Sequence, residues 1–180
     1  MNRLINVFDL DNTLYIGNTH RDLALKVLNA YSFSKNINLK LVALKFYFLF
    51  FFPRISRLLG FRLVGSRLYN EILKGLSKEE LSIYSELLIT EKKDLIDHKL
   101  INKYLINYLN DKNSSNYLIT AAPECIANAF AKVLNINNII SSELEFQNNR
   151  CLGYFKIDLK GNKEEALRRN LKDLNLINNS

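Results

Sequence analysis

The chain has 180 residues, 48% of them hydrophobic and 24% charged, a balance that suits a globular chain and excludes wholesale disorder. That length fits one domain, or one domain carrying an insertion. Its net charge of +7 is placed unevenly: residues 21–67 hold nine Lys and Arg against Asp22 alone, whereas residues 68–180 hold fifteen of each sign. A surplus confined to one stretch suits an anionic substrate or an anionic membrane surface and argues against nucleic acid as a partner. The two cysteines, Cys125 and Cys151, cannot make a disulfide scaffold and stand in no CxxC or histidine-rich cluster. Met1 to Phe8 lack the basic start and long apolar run of a signal peptide. A reduced, cytoplasmic chain without a zinc site is therefore expected.

In chain order, Leu4-Ile5-Asn6-Val7-Phe8 reads as a short buried strand that runs into Asp9-Leu10-Asp11-Asn12-Thr13. From Thr19 to about Asn110 the apolar residues recur with helical period, beginning with Leu23, Val27 and Tyr31. Leu41 to Phe52 is almost wholly apolar and ends at Pro53. Twelve residues fall short of the roughly 20 that span a bilayer. The segment therefore reads as a buried helix, in preference to one lying in a membrane interface with Lys40, Lys45, Arg54 and Arg57 around it. Ser77-Lys78-Glu79-Glu80 has the pattern of a capping box, with Leu81, Tyr84 and Leu88 continuing an apolar face. Ile96, Leu100, Tyr104 and Tyr108 form a further stripe, and Asp111 to Asn116 a polar loop.

The period then changes. Tyr117 to Thr120 reads as a second buried strand, and Pro123 as the first turn of a helix with Ile126, Phe130 and Val133 or Leu134 inward. Asn138 to Ser142 gives a third strand and Cys151 to Ile157 part of a small hairpin. A last helix starts near Lys163, with Leu167, Leu171 and Leu174 on one face. Strand, helical insertion, strand, helix, strand, helix is the order of a Rossmann-like parallel α/β core, residues 1–16 and 111–180, with a helical cap, residues 17–110, inserted after the first strand.

Ligands in open α/β sheets gather at the carboxyl ends of the strands. Asp9 and Asp11 lie there, two residues apart, so that an extended backbone aims both to one side. Two carboxylates at that distance repel each other and attract a hard cation such as Mg2+. One of them can attack phosphorus while the other handles protons. An isolated DxD is more often a solvated turn.

Phe8-Asp9-Leu10-Asp11-Asn12-Thr13-Leu14 resembles the first signature of the haloacid dehalogenase superfamily. Leu118-Ile119-Thr120-Ala121-Ala122-Pro123 resembles the second. Ser142 to Phe146 with Arg150 to Gly153, and Gly161-Asn162-Lys163, resemble the later stretches of the phosphoserine-phosphatase-like branch. The resemblance implies a magnesium-dependent phosphatase acting on a small phosphomonoester. Asp9 would be the nucleophile, and Asp11 the acid and base. Thr120 and the amide of Ala121 would hold the phosphoryl oxygens and Lys163 would neutralise their charge, with Lys160 its nearest rival. Mg2+ would be held by Asp9 and by Asp11, the latter through its backbone carbonyl. His20, near the cap entrance, is a lesser candidate for substrate contact.

Two departures from the family pattern stand out. The fourth signature, an acidic pair after a fourth strand beside the first, is expected to be missing, because the sequence reaches Ser180 where that strand should begin. Leu4 to Phe8 is then expected on an open edge, where an oligomer could form. Asn18 stands where close relatives often have an acid. A different-class alternative follows from these departures: a catalytically impaired remnant whose basic, aromatic cap binds a membrane surface or a partner protein.

Overall fold

Apolar residues at positions 4, 5, 7 and 8 form the expected first strand, β1 (Leu4–Phe8), in the computed structural model, which describes residues 4–31, 65–95, 107–111 and 113–173. The other elements are α1 (Thr19–Tyr31), α2 (Gly65–Leu73), α3 (Lys78–Leu95), β2 (Ser114–Pro123), α4 (Glu124–Leu134), β3 (Asn138–Gln147), β4 (Arg150–Ile157) and α5 (Lys163–Asp173). Leu41 to Phe52 with its basic neighbours, Leu174 and the Ile96–Tyr104 stripe lie outside the described residues. Among those described, no helix is long and apolar enough to cross a membrane.

The sheet runs β1-β2-β3-β4. β1, β2 and β3 are parallel, with Phe8 opposite Leu118 and Thr120 opposite Ser141. β4 returns antiparallel to β3, so the sheet is mixed, by way of the hairpin expected from the sequence. Among the described residues β1 pairs with β2 alone, and Leu4 and Val7 are exposed. The strand expected to be buried is therefore fully buried only at Phe8.

Three boundaries differ from expectation. β2 already begins at Ser114, inside the stretch read as a polar loop, because Ser114 to Asn116 pair with Leu4 to Asn6 of β1. Pro123 is the N-cap of α4 (φ −58°, ψ 144°) and not its first helical residue, and Val133 is exposed while Leu134 is half-buried. β3 continues five residues past Ser142, with Ser142 and Leu144 buried on one side of the pleat. It ends in a two-residue turn whose Asn148 and Asn149 both have positive φ (48° and 59°). Asn tolerates that region better than most residues and suits a tight hairpin.

One apolar cluster joins the helices to the sheet. Leu23, Val27 and Leu28 of α1, Leu81 of α3, Leu118 of β2, and Ile126 and Phe130 of α4 are all essentially inaccessible. Burial of each such side chain contributes about 1.5–3 kcal/mol. The α2–α3 turn is bound to β4 by backbone bonds in both directions, Gly75 N–H to Cys151 O and Cys151 N–H to Leu76 O, each 2.8 Å. Gly153 (φ 80°) permits this approach, since a Cβ there would stand 3.2 Å from Lys74 Cβ and 3.3 Å from Asn70 O.

The capping box forms as the sequence predicts: Glu80 N–H donates to Ser77 Oγ (3.1 Å) and Ser77 N–H to Glu80 Oε2 (2.8 Å). Arg150 also reaches Glu80 from β4 (3.1 Å). Ser77→Ala should therefore lower stability by about 1 kcal/mol. The expected readout is a lower urea midpoint with an unchanged slope, and an unchanged midpoint would show that the cap carries no stability.

Candidate active site

Past β1 the chain turns tightly around two buried leucines, Leu10 and Leu14. The N–H groups of Thr13, Leu14 and Tyr15 all point to Leu10 O (3.3, 3.0 and 2.9 Å), and Asn12 takes a left-handed conformation (φ 59°). Tyr15 packs edge-on against Phe130 of α4, with ring centroids 5.4 Å apart. This anchoring fixes the backbone at Asp9 and Asp11, which flank the buried Leu10.

Asp9 Oδ1 accepts from its neighbour's amide, Leu10 N (2.8 Å), and from Lys163 Nζ (2.7 Å) at the start of α5, 154 residues away. Both side chains of this ion pair remain about a third exposed. No hydrogen bond among the described residues engages Asp9 Oδ2. Lys160 is exposed, with its backbone N–H held by Asp158 (2.9 Å), so of the two lysines it is Lys163 that the fold brings to Asp9.

Asp11 Oδ1 accepts from Thr19 N (2.8 Å) at the first turn of α1. Burial pushes the Asp11 carboxyl above the usual carboxylate range, and the nearby Asp9 charge adds to this, while the Thr19 amide and Lys163 oppose it. Asn18 caps α1, its Oδ1 accepting from Arg21 N (2.7 Å), so its carboxamide is committed to the backbone. Tyr15 donates its phenolic proton to Asp22, which also holds Arg21 (2.9 Å). Burial, reinforced by Asp22, pushes the Tyr15 phenol up. Sequence reasoning missed this Tyr15–Asp22–Arg21 network and the Thr19 amide; the signal for the latter was Asn18 in an N-cap position.

Strand register puts Thr120 at the same end of the sheet, two residues beyond the Phe8–Leu118 pair. Its side chain is buried and its Oγ1 accepts from Ala122 N (3.1 Å). The β2–β3 ladder jumps here from Thr120–Ser141 to Pro123–Ser142, so that Ala121 and Ala122 bulge out of the pairing. Bulges of this kind re-aim the chain beside functional sites.

His20 is corrected. Its ring is 6% exposed and packs edge-on against Tyr69 of α2 (5.2 Å) and Phe155 of β4 (5.7 Å), so it belongs to the junction of α1, α2 and β4 and is not a surface for substrate. Cys125 lies in the first turn of α4, and burial raises its thiol to about 11, well away from nucleophilic use.

Asp9 and Asp11 offer only hard oxygen donors, and among the described residues no cluster of three or more His, Cys, Asp or Glu forms around them. Mg2+ is commonly held by one or two carboxylates, with substrate phosphate and water completing the shell. The donor set fits that ion and no softer one.

Asp9, paired with Lys163, and Asp11, whose carboxyl burial holds above the usual range, thus stand together at the carboxyl ends of the parallel strands, where ligands of open α/β sheets gather. The sequence profile of the haloacid dehalogenase-like hydrolases matches residues 7–176, and the chain belongs to that family. No curated protein matches it in sequence. Among solved structures, a protein of unknown function from Bordetella pertussis Tohama I aligns over 97% of this chain and 76% of its own, at 15% identity and a TM-score of 0.70. A phosphoserine phosphatase in its apo form aligns over 97% and 72%, at 14% identity and a TM-score of 0.53. A HAD family hydrolase from Salmonella enterica subsp. enterica serovar Typhi aligns over 96% and 52%, at 14% identity and a TM-score of 0.52. At such identities the likeness is one of fold.

Proposed function

We propose that the chain is a magnesium-dependent phosphohydrolase acting on a small phosphomonoester through an aspartyl-phosphate on Asp9, with residues 17–110 as the cap that selects the substrate. The observation that carries this reading is the 2.7 Å contact of Lys163 with Asp9 Oδ1, made across 154 residues, while among the described residues Oδ2 has no hydrogen bond and so is able to attack. Asp9 Oδ2 forms the new bond to phosphorus while the ester P–O bond breaks, and the leaving oxygen takes a proton from Asp11. Water then attacks the phosphorus, gives its proton to Asp11, and the P–O bond to Asp9 breaks to release inorganic phosphate. A raised Asp11 pKa suits a group that must first give a proton and then receive one. Lys163, the bulged amide of Ala121 and the hydroxyl of Thr120 would hold the phosphoryl oxygens, because phosphoryl transfer depends above all on positioning and charge neutralisation. Asp9 and the backbone carbonyl of Asp11 would hold Mg2+, whose contribution when bound is to neutralise charge on the phosphoryl group.

The reading is tested with para-nitrophenyl phosphate. Hydrolysis should require Mg2+, stop on chelation and return when the ion is restored. Hydrolysis that survives exhaustive chelation would sink the metal assignment.

A further inference from the structure

The structure holds a concave feature away from Asp9. β4 pairs with β3 only from Glu143 to Gln147, whereas Asn138 to Ser142 pair with β2 on one side and, among the described residues, with nothing on the other. That free edge lies in a groove of about 630 Å³, with α4 contributing Glu124 and Asn128 to its lining and α5 contributing Glu165, Ala166 and Arg169. Glu124 and Asn128 are four residues apart and Glu165 and Arg169 likewise, so each helix turns one continuous face to the groove. Ile139 and Ile140 supply apolar surface beside the edge. In a strand, alternate residues aim their N–H and C=O away from a given neighbour, so part of this edge presents unpaired donors and acceptors to the groove.

The charge of the lining selects the occupant. Among the described residues, Glu124, Glu143, Asp158 and Glu165 line the groove against one cation, Arg169, which is already bonded to Glu165. This is a negative groove on a chain whose net charge is +7. A second copy docking edge to edge would set these carboxylates against their own images, which costs stability. We propose that the groove is a docking site for an extended, lysine- or arginine-rich peptide segment of a partner protein, which adds a strand to the Asn138–Ser142 edge. Main-chain bonds to the edge supply affinity, and the acidic walls select basic side chains over acidic ones. The proposal does not depend on the phosphatase reading, since Asp9, Asp11 and Lys163 do not line the groove.

The test is fluorescence anisotropy with the labelled hexapeptide Lys-Val-Lys-Val-Lys-Val. It should bind at low salt, while the Glu-Val counterpart should not. Glu143→Lys with Glu165→Lys should weaken binding about tenfold or more, with an unchanged circular dichroism spectrum and urea midpoint showing that the fold is intact. The same basic peptide N-methylated along its backbone keeps its charges and loses its donors, and it too should bind at least about tenfold more weakly. Equal binding of the methylated peptide would reduce the effect to charge alone and overturn strand addition, as would no binding at all. A dimer in sedimentation velocity that the double variant strengthens would assign the edge to a second copy and equally overturn the proposal.

Discussion

Asp9→Asn should reduce hydrolysis of para-nitrophenyl phosphate at least about 10⁴-fold, because it removes the attacking carboxylate while leaving its surroundings nearly isosteric. The informative comparison is with Asp11→Asn. The para-nitrophenolate ion leaves without needing a proton, so the first half-reaction does not demand an acid. Asp11→Asn should therefore still release close to one equivalent of nitrophenolate in a rapid burst and then stall, because no base remains to activate the water that clears Asp9. Asp9→Asn should show neither burst nor turnover. Stopped-flow absorbance separates the two, and a full burst from Asp9→Asn would remove Asp9 from its assigned role. The geometry explains why the roles should separate. Asp9 has one oxygen fixed by Leu10 N and Lys163 Nζ and the other, among the described residues, unengaged, whereas Asp11 is half-buried and tied to the first turn of α1.

Much of this site was legible because its determinants are local. Asp9-Leu10-Asp11 follows an apolar strand, and a buried Leu10 between two carboxylates is a pattern of adjacent residues. The capping box at Ser77 was legible for the same reason. Lys163 was not, on physical grounds alone: nothing in Gly161-Asn162-Lys163 says that this lysine reaches Asp9, and only the family resemblance singled it out. Thr120 was legible as a strand end, but the two-residue bulge after it was not, since Ala-Ala carries no turn signal. The second half of β3 was missed because Glu143 and Glu145 make a polar reading natural, although Ser142 and Leu144 alternate with them on the buried side. The Asn148-Asn149 pair was the available signal for the hairpin. His20 was misread because its burial depends on Tyr69 and Phe155, which come from α2 and β4 and are distant in sequence.

That burial adds a pH-dependent contribution to stability from His20. Removal from water lowers the His20 pKa from 6.5 to about 4, and the nearby Asn70 side chain offsets only part of the effect. Among the described residues, Asn70 and Tyr69 of α2 and Phe155 of β4 face the ring, and no carboxylate is among them to stabilise the imidazolium. His20 Nε2 and Asn70 Oδ1 are both buried without a hydrogen-bond partner. Because the folded pKa lies below the unfolded one, the unfolded chain binds the extra proton between pH 6.5 and 4. Stability should therefore fall as pH drops through that window, by about 3 kcal/mol over its full span. Asp11 works in the opposite sense, since a raised carboxyl pKa favours the folded state as pH falls, so the total profile mixes both groups. The variant His20→Leu isolates the histidine. It keeps an apolar group at the junction of α1, α2 and β4 and removes the titration. Its stability relative to the unaltered protein should rise by roughly 2 kcal/mol between pH 7.5 and pH 5, measured by urea unfolding at each pH. A difference between the two proteins that stays constant across this range would mean that His20 takes up its proton as readily in the folded state as in the unfolded one, and that the junction is open to water.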